Sequence, residues 1–451
     1  MSELDAVALS RRLSTRTPSG IAEQIRDLID AGDLPPGTRL PTVRDIAQEI
    51  GVSVGTIAQA WGILREENVV ETRRRGGTRV IDAARAGKDA FRSFSEIDLL
   101  LGSPDPALLA PLEEAISTAA RQPDVNVWAR ETMAEDLQKA AQAVFPYEPQ
   151  AWLAVGGGSE GLWSAVRAAA QPGQAIAVET PFSPGFLMTA RQMGLTLLPV
   201  ATDDDGAVPA SLRSALEEGA VAFVHTPSGA FGSGHLLTEA RARELSAVLE
   251  DFAASVVEDD PLGPLAADTG ASLGTMLPER TLRVQAYCRA FGVDLRTGIM
   301  GGPQEFVDKA AALRAEGLGS VSRILQHTLA ALLTSKDAQR RVNVARRHYE
   351  IRKSMAVEAL QEAGLKVRTG PASWSLWIEV AQEEKAALAL ASQGVTVDIG
   401  STSFIEDAGH PRQQNYLRLT IAQLPEDAAH LSTLAQMISK AAAGELRPAF
   451  V

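Results

Sequence analysis

Gly156-Gly157-Gly158-Ser159 lies between a short apolar run, Ala151–Val155, and an amphipathic stretch from Gly161. Backbone N–H groups at such a helix start suit a phosphate, although a short glycine run also serves as a plain tight turn. Glu258-Asp259-Asp260 closes a second apolar run, either as a strand-end carboxylate site or as a solvated strand terminus. Arg289, Arg296 and Arg418 carry planar forks that match carboxylates and phosphates. A guanidinium stays protonated and is no amine nucleophile. No Lys lies between Lys139 and Lys309 to supply one. The six His are scattered and Cys288 is the single cysteine, so no metal site is expected and no intrachain disulfide is possible. Near the N-terminus, Arg73-Arg74-Arg75-Gly76-Gly77 concentrates positive charge at a turn.

Two kinds of element must position these groups. Over Ser19–Ala31 the apolar residues recur at helical spacing, and Thr42 is placed to cap a helix Val43–Ile50. Gly51 ends that helix and Ser53 caps the next, Val54–Glu67. Two helices joined by so tight a turn are helix-turn-helix punctuation. Short strands at Val69–Thr72 and Thr78–Ile81 flank the arginine run, which makes it the tip of a wing. From Ile97 the pattern becomes short apolar runs alternating with amphipathic helices, the signature of a parallel α/β domain. The expected strands are Ala151–Val155, Ala175–Val178, Leu195–Val200, Ala220–His225, Ser255–Val257 and Leu282–Ala286. A long helix over Arg341–Ala363 then leads into a smaller mixed subdomain at about 340–451. The expected organisation is a winged helix-turn-helix (1–81), a linker (82–96) and an α/β body (97–451).

The charge is distributed accordingly. The whole chain of 451 residues carries −13, which argues against non-specific coating of nucleic acid. Residues 1–81 hold eleven Arg and eleven Asp or Glu, so the deficit lies entirely in the remainder. A locally basic patch on a neutral small domain, joined to an acidic body, suits a DNA reader carrying a second module. No run of eighteen apolar residues and no secretion signal appear, so no membrane span and a cytoplasmic location are expected.

The N-terminal segment resembles the GntR family of winged-helix repressors through Leu34-Pro-Pro-Gly-Thr-Arg-Leu-Pro, Val43-Arg-Asp-Ile-Ala, Gly51-Val-Ser-Val-Gly-Thr-Ile and Arg73-Arg-Arg-Gly-Gly-Thr. The body resembles fold type I aminotransferases through Gly102-Ser-Pro-Asp-Pro, the glycine turn, Asp259, Leu295-Arg-x-Gly and Tyr416-Leu-Arg-Leu. That fusion is the arrangement of the MocR subfamily of bacterial regulators. The resemblance implies a head-to-tail homodimer, a double-stranded DNA operator and a body that senses a small ligand. It places Ser53, Val54, Gly55 and Thr56 in the major groove. Arg39, Thr42, Arg44, Arg73, Arg74, Arg75 and Gly77 fall at the backbone or minor groove. Val54 stands where the family commonly has Arg, so a guanine-reading fork is missing and an unusual operator is expected.

In the body the resemblance makes Gly157, Gly158 and Ser159 the phosphate turn of pyridoxal phosphate (PLP). Asp259 becomes the partner of the pyridine nitrogen, Arg296 the phosphate arginine and Arg418 the substrate-carboxylate arginine. The Schiff-base Lys is Arg289. The ring-stacking aromatic falls at Ser183, which Phe182 replaces only with a shifted backbone. Gly229-Ala230-Phe231, Leu262 and Trp128-Ala129 depart from the family pattern as well. Five departures around one pocket imply that PLP chemistry has been abandoned and that no cofactor is held covalently. The expectation is a regulator whose pocket of Gly157, Gly158, Ser159, Phe182, Asp259, Arg289, Arg296 and Arg418 binds an anionic metabolite. The alternatives are a closed core in which Arg289 pairs with Asp259 or Asp294, and a regulator holding PLP non-covalently. A working aminotransferase is disfavoured by Arg289, because transamination needs the Lys.

Overall fold

The structure is a computed structural model. It describes residues 6–30, 33–34, 38–66, 70–73, 77–80, 97–128, 131–317, 319–405 and 414–446. The chain divides into two compact units, Met1–Glu96 and Ile97–Val451. The linker expected at 82–96 lies outside the described residues, as do Arg74 and Arg75.

In the first unit, helices Pro18–Asp30, Val43–Ile50 and Val54–Glu66 bury Ile21, Ile25, Ile46, Ile57, Trp61 and Leu64 in one core. Thr42 caps the second of these helices by accepting from the Asp45 N–H, and Gly51 ends it at φ +67. Ser53 caps the third, its Oγ accepting from the Thr56 N–H at 3.0 Å. Strands β1 (Val70–Arg73) and β2 (Gly77–Val80) form the antiparallel wing. Thr38–Leu40 lines the wing's edge, with the Leu40 N–H donating to the Thr78 carbonyl at 2.8 Å.

The second unit contains β3 (Ile97–Asp98), β4 (Ala151–Val155), β5 (Ala175–Thr180), β6 (Thr196–Asp203), β7 (Gly206–Ala207) and β8 (Ala220–His225). There follow β9 (Ser255–Asp260), β10 (Thr281–Ala286) and β11 (Gly298–Gly302). Eight of these strands form one sheet in the order β4-β11-β10-β9-β8-β5-β6-β7. β10, β9, β8, β5 and β6 are parallel, whereas β11 runs antiparallel between β10 and β4. Side chains alternate across the sheet, as the pleat requires. Val224 and Val257 join a core on one face, and Phe223 and Val256 join a core on the other.

β12 (Val367–Arg368), β13 (Ser375–Val380), β15 (Asp398–Ile399) and β16 (Asn415–Thr420) form a four-stranded antiparallel sheet, while β14 (Val395–Thr396) pairs with β3. The long helix begins at Lys336, five residues earlier than its apolar spacing suggests. β11 escaped sequence reading because Gly-Ile-Met-Gly-Gly looks like a turn. Its glycines answer to packing: a Cβ on Gly301 would meet the Phe145 ring at 2.8 Å. Among the described residues, no helix is long and apolar enough to cross a membrane.

Candidate functional site

The outer face of the Val54–Glu66 helix is open. Ser53, Val54 and Gly55 are exposed, Thr56 is half-buried, and the Ser53 and Thr56 hydroxyls bond at 2.8 Å. Thr42 and Arg44 are exposed at the start of the preceding helix. Arg39 is half-buried against the wing, and a Cβ on Gly77 (φ +70) would meet its Nε at 3.0 Å. Arg73 ends β1. Thr42, Arg44, Ser53, Val54 and Gly55 are therefore accessible at the starts of two consecutive helices.

In the second unit, the glycine turn, Asp259 and Arg289 sit at or just beyond the carboxyl ends of β4, β9 and β10, where open α/β sheets hold ligands. All three acids closing β9 are buried. Alternation separates them. Arg283 on β10, fully buried, donates to Glu258 at 2.9 Å and to Asp260 at 3.0 Å. Gln285 also donates to Asp260, at 2.9 Å. Burial pushes the Glu258 carboxyl up, but His225, Arg283 and Ser272 outweigh it and hold the group at about 2.

Asp259 points to the other face and has no hydrogen-bond or ion-pair partner among the described residues. Burial and the neighbouring Asp260 raise its carboxyl to about 7, against the pull of Arg289 and Arg283. It lines a small cavity with Glu179, Phe182, Thr226, Phe231 and His235. The volume is about 10 Å³, room for one water molecule. Glu179 accepts from the Thr226 N–H at 2.9 Å and lies 3.6 Å from His235 Nε2. His235 Nδ1 bonds Ser233 Oγ at 2.8 Å.

Arg289 follows β10 on the short helix Cys288–Phe291. Its Nη1 donates to the Pro261 carbonyl at 3.0 Å, and its guanidinium lies 4.4 Å from the Phe231 ring centre. Its Nε is buried with no hydrogen-bond partner, and no carboxylate lies within ion-pair distance among the described residues. The closed pairing with Asp259 or Asp294 is thus not made; Asp294 is exposed. Burial lowers the Arg289 pKa, as does the charge of Arg418, while Cys288 and Asp259 oppose the shift.

Arg418 on β16 is buried and paired with Asp398 on β15, its register neighbour. The third arginine does not join them. Arg296 is exposed, in a left-handed conformation (φ 39) after the turn Val293–Leu295, and has no partner among the described residues. At the glycine turn, the helix Gly158–Ala169 begins after Gly157 (φ +103), and Ser159 is exposed. The Gly156 N–H donates to Glu160 at 2.5 Å, and Arg314 donates to the same carboxylate at 2.8 Å. An internal acid thus occupies part of the expected phosphate turn. Phe182 is buried on the cavity wall, edge-to-face with Phe186, its N–H donating to the Ser403 carbonyl at 2.8 Å.

Comparison with known proteins divides the chain similarly. Residues 17–80 match the gntR family of bacterial regulatory proteins, and residues 81–431 match aminotransferase class I and II. The chain is a transcription regulator of the MocR type within the GntR family. The regulator is 26% identical to the vitamin B6 salvage pathway transcriptional repressor PtsJ of Salmonella typhimurium, over 94% of this chain and 98% of that protein. It is 28% identical to the pyridoxine biosynthesis transcriptional regulator PdxR of Corynebacterium glutamicum, over 78% and 81%. An aspartate aminotransferase structure from Thermus thermophilus with maleate superimposes with a TM-score of 0.65 at 22% identity, covering 83% of this chain and 98% of that one. An archaeal alanine:glyoxylate aminotransferase gives 0.69 at 16% identity, covering 80% and 95%. At that identity the solved structures establish the fold of the regulator's body.

Sequence reading missed Arg283, Glu179, His235 and Glu160 in the regulator. One signal was available for Arg283. Acids at 258 and 260 share a face by strand alternation, and an Arg on the next parallel strand is their natural partner. Glu179 and His235 come from distant segments and offered no local signal.

Proposed function

We propose that this regulator binds operator DNA through its winged helix and adjusts that binding to a small anionic metabolite held in the body without a Schiff base. The observation that carries the reading is Arg289: a half-buried arginine whose Nε is buried without a hydrogen-bond partner, with no carboxylate within 4 Å among the described residues. Desolvating a cation without a counter-charge is costly, and an incoming carboxylate or phosphate would offset that cost. Arg418, which also has a buried unpartnered Nε, lies near enough for their charges to interact. PLP is a poor match for the present arrangement. Arg289 offers no amine, the cavity beside Asp259 has room for one water, and Glu160 holds the Gly156 N–H.

A metabolite larger than water enters only if walls such as Phe182 and Phe231 move. A ligand that fits one arrangement and not the other shifts the population between them. Two winged helices in a head-to-tail homodimer would then change their spacing or freedom on DNA. The fully exposed Trp128 supports a contact between copies, since it leaves a large indole open to a partner. Half-sites one helical turn apart, roughly 34–36 Å or a multiple, are the default spacing, and direct repeats are compatible.

Two measurements test the reading. Absorption spectra with one equivalent of PLP, before and after borohydride, should equal protein plus free PLP. A stoichiometric borohydride-fixed label would overturn the loss of covalent capture. In thermal shift against dicarboxylates and phosphorylated metabolites, at least one anion should raise the melting temperature of the wild type but not of Arg289→Ala. If none does, and the variant behaves as wild type, the anion site is wrong.

A further inference from the structure

The solvent face of the Val54–Glu66 helix has an unusual composition for a DNA reader. No charged residue occurs from Val54 through Leu64. Ile57, Ala60, Trp61 and Leu64 point into the core. The opposite arc is therefore centred on Gly55, Gln59 and Gly62 with Ala58 at its edge, as a turn of 3.6 residues dictates, and Val54 is exposed beside it as the first residue of the helix. Val54, Gly55, Ala58 and Gln59 are all exposed, Val54 to 50%. Gln59 has no hydrogen-bond partner among the described residues. Its amide is the one long hydrogen-bonding side chain on the arc before Arg65. Among the described residues, nothing demands glycine at 55 or 62. A Cβ at 55 would sit 3.5 Å from Ser53 Oγ, and one at 62 would sit 3.9 Å from Arg65, both ordinary contacts. Glycine in a helix interior is destabilising, and no contact among the described residues accounts for Gly62.

We propose that this helix reads A·T pairs: thymine methyl groups pack against Val54 and Ala58, and an adenine edge pairs with the Gln59 amide. The inference rests on the winged helix being the operator-binding element. In the major groove only thymine presents a methyl group, and adenine N6 and N7 match a carboxamide bidentately. Guanine is best read by Arg or Lys, and this arc has neither before Arg65. Gly55 and Gly62, at the middle of the arc, let the helix backbone approach the base edges closely enough for so short a side chain as Val54 to reach a methyl group. Phosphate contacts fall to the flanks, where Arg44 is exposed on the preceding helix.

The test uses the full-length regulator and a randomised DNA duplex pool. Repeated selection should enrich half-sites whose cores are A·T pairs. Replacing single thymines of the enriched site by deoxyuridine, which removes only the methyl group, should weaken binding roughly three- to fivefold at a contacted position. Val54→Ala should remove that sensitivity at one thymine while leaving others unchanged. Gln59→Ala should weaken binding by roughly tenfold or more and relax selection at one adenine. Both side chains are exposed, and an unchanged melting temperature will separate lost contacts from lost folding. An enriched site with a G·C core, or binding indifferent to deoxyuridine at every thymine, overturns the proposal while leaving the winged helix as the DNA reader. Retention of the pool without any sequence enrichment overturns the operator-binding premise itself, and this proposal with it.

Discussion

The Arg289 guanidinium lies 4.4 Å from the centre of the Phe231 ring, a cation held against an aromatic face. The contact holds a permanent charge just beyond the end of β10. Introducing an amine at position 289 leaves the Glu160–Gly156 contact, the Arg418–Asp398 pair and the one-water cavity unchanged. Arg289→Lys is therefore expected to give no stoichiometric borohydride-fixed PLP label. A full label, followed by peptide mapping to position 289, would mean that an amine there is all that covalent capture of PLP requires.

Asp259 makes stability depend on pH in an unusual direction. Its folded value of about 7 lies above the ordinary 3.8, so the folded chain binds the proton more tightly than the unfolded chain. Its carboxyl therefore costs nothing below pH 3.8, and stability falls as pH rises from there to about 7. The span corresponds to at most about 4 kcal/mol. Asp259→Asn should raise the melting temperature more at pH 8 than at pH 4.5. A difference that is the same at both pH values would show that Asp259 does not titrate in this window.

Arg283 neutralises two buried carboxylates at once. Removing one partner of a buried ion pair typically costs about 3–5 kcal/mol, because the other charge is stranded. Arg283→Met should lower the stability of the body by roughly that amount in urea titration. The exposed pair Arg213–Asp251 provides the contrast, since Arg213→Ala should cost no more than about 1 kcal/mol. Equal losses in the two variants would mean that the buried network contributes nothing special.

Arg44 is exposed at the start of its helix and is suited to a phosphate. Arg44→Ala should weaken binding to all duplexes by a similar factor and reduce the salt slope by about one. An effect confined to one base position would make Arg44 a base reader.

Much of this regulator is legible along the chain, because the relevant forces are local. Thr42, Gly51 and Ser53 mark the helix-turn-helix through capping hydrogen bonds and a left-handed backbone, which need only near neighbours. The parallel strands announce themselves as apolar runs, and Asp259 and Arg289 stand out at the strand ends. β11 did not, since its glycines reflect contacts with Phe145 and Leu282 from other segments.

For the candidate pocket, sequence supplied the list of charges and the fold decided their partners. Sequence alone determined that position 289 carries a permanent cation and that no Lys lies between Lys139 and Lys309. Only the tertiary structure decided that Arg283 takes Glu258 and Asp260, that Asp398 takes Arg418, and that Arg296 stays in solvent. Strand alternation sets which face a side chain occupies. Which charges then meet depends on strand register and on packing between segments far apart in the chain, and burial turns those meetings into shifted protonation and unpaired groups.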